Sequence, residues 1–372
     1  MRMEIEGTGE RFSRRVVVTS AAACALGAPL VAACGAAGGP SGPGGAPGAT
    51  AAAGAGRLEA ELVLYSARKE ELMQPVVDLF QKKTGVNVTV KSGGAGELPL
   101  VIEQERASPR ADVFFTTDAA GAEQLRQKAL LEPYRAPNAE QIPAEFKAPD
   151  GAWTGVIGRS RNIMTNAALV RAEEAPKSVF DLTAARWKDR VAAASIAEGG
   201  VRLWLGSLVV LKGEEFTTRY VNDLKANGLQ VLKNHTEVAN AVARGEYPLG
   251  LVNHYYYVPK KKEGAPVDLI YPDQGPNDIG TLVTPLVVAL VKGVRHPAAA
   301  RAFVDFVLSP EGQAPLTTQE QEFPLTPGVP LGAAAAPGVR PIDQIKRPAL
   351  DVVRLADATA RAVALYTPTF TA

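Results

Sequence analysis

The chain has 372 residues, with 40 Lys+Arg against 39 Asp+Glu and a formal charge of +1. Apolar residues make up 46% and charged residues 21%, which suits a soluble globular protein of about two domains at roughly 150 residues each. With only 2 Cys and 3 His, a disulfide scaffold, a zinc finger and a His-rich metal cluster are excluded, and the balanced charge points away from nucleic acid.

Residues 1–33 read as an export signal. Arg2, Arg11, Arg14 and Arg15 precede an uncharged stretch, 16–33, that ends in small residues. A spanning helix needs about 20 strongly apolar residues, and this stretch is diluted by Thr19, Ser20, Gly27 and Pro29. Ser13-Arg14-Arg15 before three Val resembles a twin-arginine signal, and Leu30-Val31-Ala32-Ala33-Cys34 resembles a bacterial lipobox. Cys34 is then a lipidation site, and Cys24 leaves with the signal. Residues 35–56 contain 9 Gly, 8 Ala and 3 Pro and no charge. Such a segment buries little and serves as a flexible tether between a membrane anchor and the folded body.

From residue 57 onward, strands and helices alternate, which predicts a mostly parallel α/β sheet. Residues 61–66 form a strand, 69–83 a helix stopped by Gly85, and 86–90 a second strand. Gly93-Gly94-Ala95-Gly96 opens a helix to 106. Residues 111–116 form a strand, and Asp118 caps the next helix. Residues 155–165 are extended and 178–187 form a short helix. A strand at 191–195 leads to helices at 201–211 and 214–227, the first of them opened by Glu198-Gly199-Gly200. Strands follow at 228–232, 248–252, 267–271 and 282–290, with a helix at 236–244. Helices at 297–308 and 310–318, a Pro/Gly-rich wrapping loop at 324–348 and a helix at 351–364 complete the chain.

Four runs carry a resemblance: Leu64-Tyr65-Ser66-Ala67-Arg68, residues 111–118 (ADVFFTTD), Gly250 through Tyr256 (GLVNHYY) and Lys292 through Pro297 (KGVRHP). In order and spacing, over about residues 60–330, the chain resembles the periplasmic ferric-ion-binding subfamily of type 2 solute-binding proteins, which serve ABC importers. The resemblance implies two α/β lobes joined by two crossover strands near 155–160 and 281–286, with ligand in the cleft. The first lobe is then 57–156 plus 284–372 and the second 157–283. Partners implied are a permease and its ATPase; the chain is expected to be a monomer and not an enzyme. No nucleophile elbow, metal-protease helix or Cys-His pair is present.

Ferric ion prefers hard oxygen donors, and phenolate is one. The resemblance makes Tyr255 and Tyr256 the metal-holding pair. A phenol with an ordinary pKa near 10 must lose its proton to the metal, so affinity rises with pH. Three positions depart from the family pattern. Lys69 stands where relatives often offer a His, Thr165 where some offer a third Tyr, and Thr117 where some offer a Glu. Further donors are then Asp118, Tyr65, water or a bound anion. For the anion, the helix start around Gly94 and Gly96 offers N–H groups, with Ser66, Arg68, Arg159, Ser160 and Asn253 as further donors. A small anion such as a phosphonate, phosphate or carboxylate, paired with Arg68 and Lys69, is the alternative ligand. Among the His, His254 is a ligand or a local hydrogen-bonding residue, and His235 has no evident partner.

Overall fold

The computed structural model describes residues 57–331, 335–350 and 352–372. The export signal, Cys34 and the Gly/Ala/Pro segment lie outside the described residues. In chain order the strands are β1 (Glu61–Ser66), β2 (Asn87–Ser92), β3 (Val113–Thr116), β4 (Leu131–Glu132), β5 (Thr154–Asn166) and β6 (Val191–Ala194). They continue as β7 (Gln230–Leu232), β8 (Leu249–Asn253), β9 (Val267–Ile270), β10 (Val283–Val291) and β11 (Phe323–Pro324). The α-helices are α1 (Glu70–Thr84), α2 (Leu98–Gln104), α3 (Ala119–Gln127), α4 (Gly199–Lys212) and α5 (Glu214–Ala226). After them come α6 (His235–Ala243), α7 (His254–Lys262), α8 (Pro297–Val307), α9 (Pro310–Glu320) and α10 (Val352–Tyr366). Among the described residues no helix is long and apolar enough to cross a membrane.

The helix α1 illustrates the local logic. Met73, Val76, Val77 and Phe80 recur at helical spacing and are buried. Glu70 and Glu71 sit in the first turn and Lys82 and Lys83 in the last, matching the helix dipole. Gly85 ends the helix in a left-handed conformation, φ 75°, as its position predicts.

The strands follow the order β2-β1-β3-β10-β5-β8-β6-β7, with β4 on β10 and β9 and β11 on β5. Pairs inside each half are parallel: β1 with β2 and β3, and β6 with β7 and β8. The mostly parallel sheet needs one correction. The two strands that link the halves, β5 and β10, pair antiparallel with each other and with β8 and β3. A βαβ unit dictates parallel neighbours only within a half; the linking strands run between the halves and stand outside those units. β5 serves both halves. Its residues from Thr154 to Ser160 pair with β10, and those from Arg161 onward pair with β8 and β9. The chain returns beside it, where the Arg161 N–H donates to the Leu282 carbonyl at 2.8 Å. The result is a two-lobed α/β fold with β5 and β10 running between the halves.

Three further expectations change. Residues 178–187 form 3-10 turns, Val179–Thr183 and Ala185–Trp187. The helix after the glycines starts only at Leu98 and has 7 residues. Residues 284–372 do not belong wholly to the first lobe, because α10 covers the second. Ala362, Tyr366 and Phe370 join the core around β6, β8 and α4, and the Ile196 N–H donates to the Phe370 carbonyl at 2.8 Å. The sequence of α4 explains this. It is apolar nearly all round, with Val201, Leu203, Trp204, Leu205 and Leu208 buried, so it needs cover on more than its sheet side. Gly206 makes the approach possible: a Cβ there would lie 2.8 Å from Thr359 Cα. The same helix also reaches the first half, where Leu355 shares a small crevice with Ala119, Ala120 and Pro285.

Candidate functional site

A cleft of about 610 Å³ opens between the two halves at the ends of their strands. One wall holds Arg68, Lys69, Ala95, Thr117 and Asp118, and the other Glu198, His235, Asn253, Tyr255 and Tyr256. Arg159 and Thr284, from the crossing strands, line it between them.

The tyrosine pair is built by α7. The strand β8 is buried throughout and ends at Asn253, the helix N-cap. Successive helical residues are about 100° apart, so Tyr255 and Tyr256 share the cleft side while Tyr257 turns into the core. The Tyr257 hydroxyl donates to the Pro337 carbonyl at 2.6 Å and fixes the helix from behind. The rings of Tyr255 and Tyr256 lie 4.4 Å apart between centroids, tilted by 36°. The Asn253 amide donates to the Tyr255 hydroxyl at 3.4 Å. Burial and then Tyr255 push the Tyr256 phenol well above its ordinary value of 10. A phenol in this state gives up its proton only to a strong cation.

Two arginines stand behind the pair. The Arg159 guanidinium lies 5.1 Å over the Tyr255 ring and is ion-paired with Glu322. Glu322 is fully buried and also pairs with Arg68 at 2.7 Å. Burial alone raises its carboxyl, but Arg159 and Arg68 outweigh burial and hold it below the ordinary carboxylate range. Arg161 is buried, with Nη1 3.1 Å from His235 Nε2 and the guanidinium 5.6 Å over the Trp204 ring. Its Nε and Nη2 have no hydrogen-bond partner among the described residues. Burial draws this guanidinium down to about 10, against the pull of Tyr255, Tyr256 and Glu198. Residues 159 and 161 share a strand face, a signal the sequence did carry.

The other candidates fall into three groups. Thr117, Asp118, Asn253, Arg68 and Lys69 line the cleft. Asp118 also does what its position predicts, accepting the Ala120 N–H at 2.8 Å as the α3 N-cap, and burial raises its carboxyl. Arg68 is engaged with Glu322 beneath the cleft, and Lys69 is 77% exposed at its rim.

Tyr65, Ser66 and Ser160 are corrections: the first two are buried at the end of β1 and Ser160 in the middle of β5, and none lines the cleft. The Tyr65 hydroxyl donates to Glu105 at 2.9 Å, and its phenol is pushed up to about 12 by burial and Glu105. The Ser66 hydroxyl accepts the Arg68 N–H at 3.2 Å. Ser160 donates its N–H to His254 Nδ1 at 3.1 Å and its hydroxyl to Asn162 at 2.5 Å. Strand alternation turns Tyr65 away from the ligand side.

The glycine loop is a further correction. Ala95 lines the cleft, but Gly94 and Gly96 do not. The Gly94 N–H already donates to Glu97 Oε2 at 3.2 Å, so the chain's own carboxylate takes the anion's place there. Thr165 is buried inside β5, paired with Leu249.

His254 is a local structural residue. Its ring stacks on Phe323 at 4.1 Å, Nδ1 accepts the Ser160 N–H, and Nε2 lies 3.0 Å from the Gln321 carbonyl. That network assigns the neutral Nε2–H tautomer, and burial drives its pKa down to about 4. His235 does have partners: its ring lies 5.2 Å from that of Tyr256, and Arg161 stands behind it. Burial and Arg161 keep it neutral. Glu198, Arg161 and Glu322 are the functional residues that sequence reasoning missed as such. Glu322 meets Arg68 across 254 positions, a separation no local pattern encodes.

Comparison with known proteins places this architecture. Residues 62–319 match the family described as bacterial extracellular solute-binding protein. The chain belongs to that family, within its ferric-ion-binding subfamily. It is 30% identical over 307 residues to the Fe(3+)-binding periplasmic protein of Serratia marcescens, covering 82% of this chain and 89% of that one. Among solved structures it resembles iron-bound HitA from Pseudomonas aeruginosa at 29% identity and a TM-score of 0.73, over 84% of this chain and 100% of that one. The Trichodesmium protein IdiA (FutA), solved with iron and citrate ligands, matches at 27% identity with a TM-score of 0.75, again over 84% and 100%. The family is one of solute-binding transport proteins, and relatives in this subfamily are periplasmic.

Proposed function

We propose that this chain is the extracytoplasmic receptor of an ABC importer, not an enzyme. It captures ferric ion with Tyr255 and Tyr256 as phenolate donors and passes it to a membrane permease and its ATPase. The observation that carries this reading is the pair of adjacent phenols, 4.4 Å apart between ring centroids and facing a cleft backed by Arg159 and Arg161. Cationic side chains behind the phenols favour the phenolate form, and the ion supplies the remaining positive charge.

The cleft is far larger than a bare ion, so water or a small anion shares it with the metal. The two lobes, about 57–156 with 284–350 and 157–283, close on the cargo by a hinge at the crossing strands. α10 rides on the second lobe. Cys34, once acylated, and the segment after it tether a monomeric body to the outer face of the membrane.

The test is a titration of the protein with ferric ion, with and without phosphate or carbonate, followed in the visible. A tyrosinate-to-iron charge-transfer band that saturates at one iron per chain is expected. A protein that stays colourless while binding a phosphonate or phosphate by calorimetry overturns the iron reading in favour of an anion cargo.

A further inference from the structure

The cleft contains an oxygen donor that the tyrosine reading does not use. Glu198 is the N-cap of α4, yet its side chain makes no capping bond. Its carboxylate makes no hydrogen bond or ion pair among the described residues, whereas Asp118 on the opposite wall accepts the Ala120 N–H with one of its oxygens. Glu198 is drawn into the tyrosine wall by its own helix. A Cβ on Gly200, two residues on, would lie 3.2 Å from Asn253 Nδ2 and 3.2 Å from His235 Nε2. A side chain at 200 would crowd the residues that flank Tyr255 and Tyr256, so glycine suits this close approach of α4. Arg161 and Arg202 lie near enough to favour the charged carboxylate, against the burial that raises it. The Arg202 guanidinium is occupied with the Ala197 carbonyl at 2.6 Å and leaves the carboxylate open.

A bare helix start beside a cation draws an anion from solution. Here the chain supplies its own. We propose that Glu198 is a third protein oxygen donor to the cargo ion, a built-in anion that makes added phosphate or carbonate unnecessary. The inference rests on the ferric reading of the cleft. In charge, one carboxylate and two phenolates neutralise one ferric ion. The two phenol protons pass to solvent, and the carboxylate replaces a metal-bound water. The buried Arg161 then offsets the crowding of three anionic oxygens.

The experiment titrates fresh ferric chloride into wild type and Glu198→Gln in buffer free of phosphate and carbonate, following the visible band. Wild type is expected to bind one iron without added anion, and added phosphate or carbonate leaves its affinity unchanged. Glu198→Gln keeps the tyrosinate band but weakens binding by about tenfold or more, and phosphate, carbonate or acetate restores it. Glu198→Ala, which opens space for acetate, responds to acetate more strongly. The variants are expected to fold, since no described side chain is hydrogen-bonded to this carboxylate; circular dichroism checks this. The proposal is overturned if Glu198→Gln matches wild type without anion, or if wild type colours only when an anion is added. A wild type colourless under every anion condition overturns the ferric reading itself, and this proposal with it.

Discussion

The two walls of the cleft are built from the same strand–helix pattern but carry different chemistry. On the first-lobe wall the polar groups are already committed. Arg68 is bound to Glu322 and Asp118 caps α3, while Gly94, behind the lining, is bonded to Glu97. Lys69, at the rim, repels a cation. On the second-lobe wall, Tyr255, Tyr256 and Glu198 line the cleft. On the proposed ferric reading, metal-holding capacity belongs to one wall, while the other supplies structure and positive charge. The proposal then implies that the cargo loads on one lobe first and the cleft closes afterwards.

The largest effect tests the structural side. Glu322→Gln leaves two guanidinium groups without their buried counter-charge and is expected to cost about 3–5 kcal/mol in denaturant unfolding. The native Glu322 carboxyl is held below its ordinary value of 4.5. Its stabilisation is therefore complete above about pH 4.5 and disappears as pH falls through the lower native value. The variant should lose that part of the acid limb of the stability curve, and an unchanged acid limb would show that the pair does not hold the crossing strands.

Next come Tyr255→Phe and Tyr256→Phe. Each should remove more affinity than the 10–100-fold typical of an outer-shell partner, about 100-fold or more, and shrink the visible band. Neither should destabilise the fold strongly, since both rings remain.

Gly206→Ala sharpens the comparison from the other side. The added methyl meets Thr359 at the α4–α10 seam, so the variant should lose about 1–3 kcal/mol from overpacking. Hydrogen exchange should locate the loosening in α10, with ferric affinity retained.

The smallest effect is expected for Lys69→Ala. An exposed charge at the rim is screened by solvent and salt, so iron affinity should rise by no more than about threefold and the gain should fade in high salt. A large change would place the first wall inside the binding site.

The sequence made much of this legible. Hydrophobic period and caps located β1, α1, β3, Asp118 and α4 to within a few residues, because those signals are local. The Tyr255–Tyr256 pair follows a strand that the sequence shows at 248–252, but it was the family resemblance that made the two phenols the metal-holding candidates. What stayed hidden depended on distant packing. Tyr65 and Ser66 are neighbours of the cleft in sequence, but strand alternation and burial remove them from it. The glycine loop reads as an anion cradle until Glu97 is seen to occupy it. Glu198 was visible only as part of a helix start. Its character as an open donor emerges from the contact of Gly200 with Asn253 and His235. The position of α10 follows from the all-round apolar surface of α4, which the sequence displays without saying what covers it.

The most direct test of the one-wall account is a crystal structure of the chain loaded with ferric ion, with the metal located by its anomalous signal. The account predicts iron bound by the hydroxyl oxygens of Tyr255 and Tyr256 and a carboxylate oxygen of Glu198, with Arg68 still on Glu322. Iron held by Asp118 or by other groups of the first wall, with either tyrosine unbound, would contradict it.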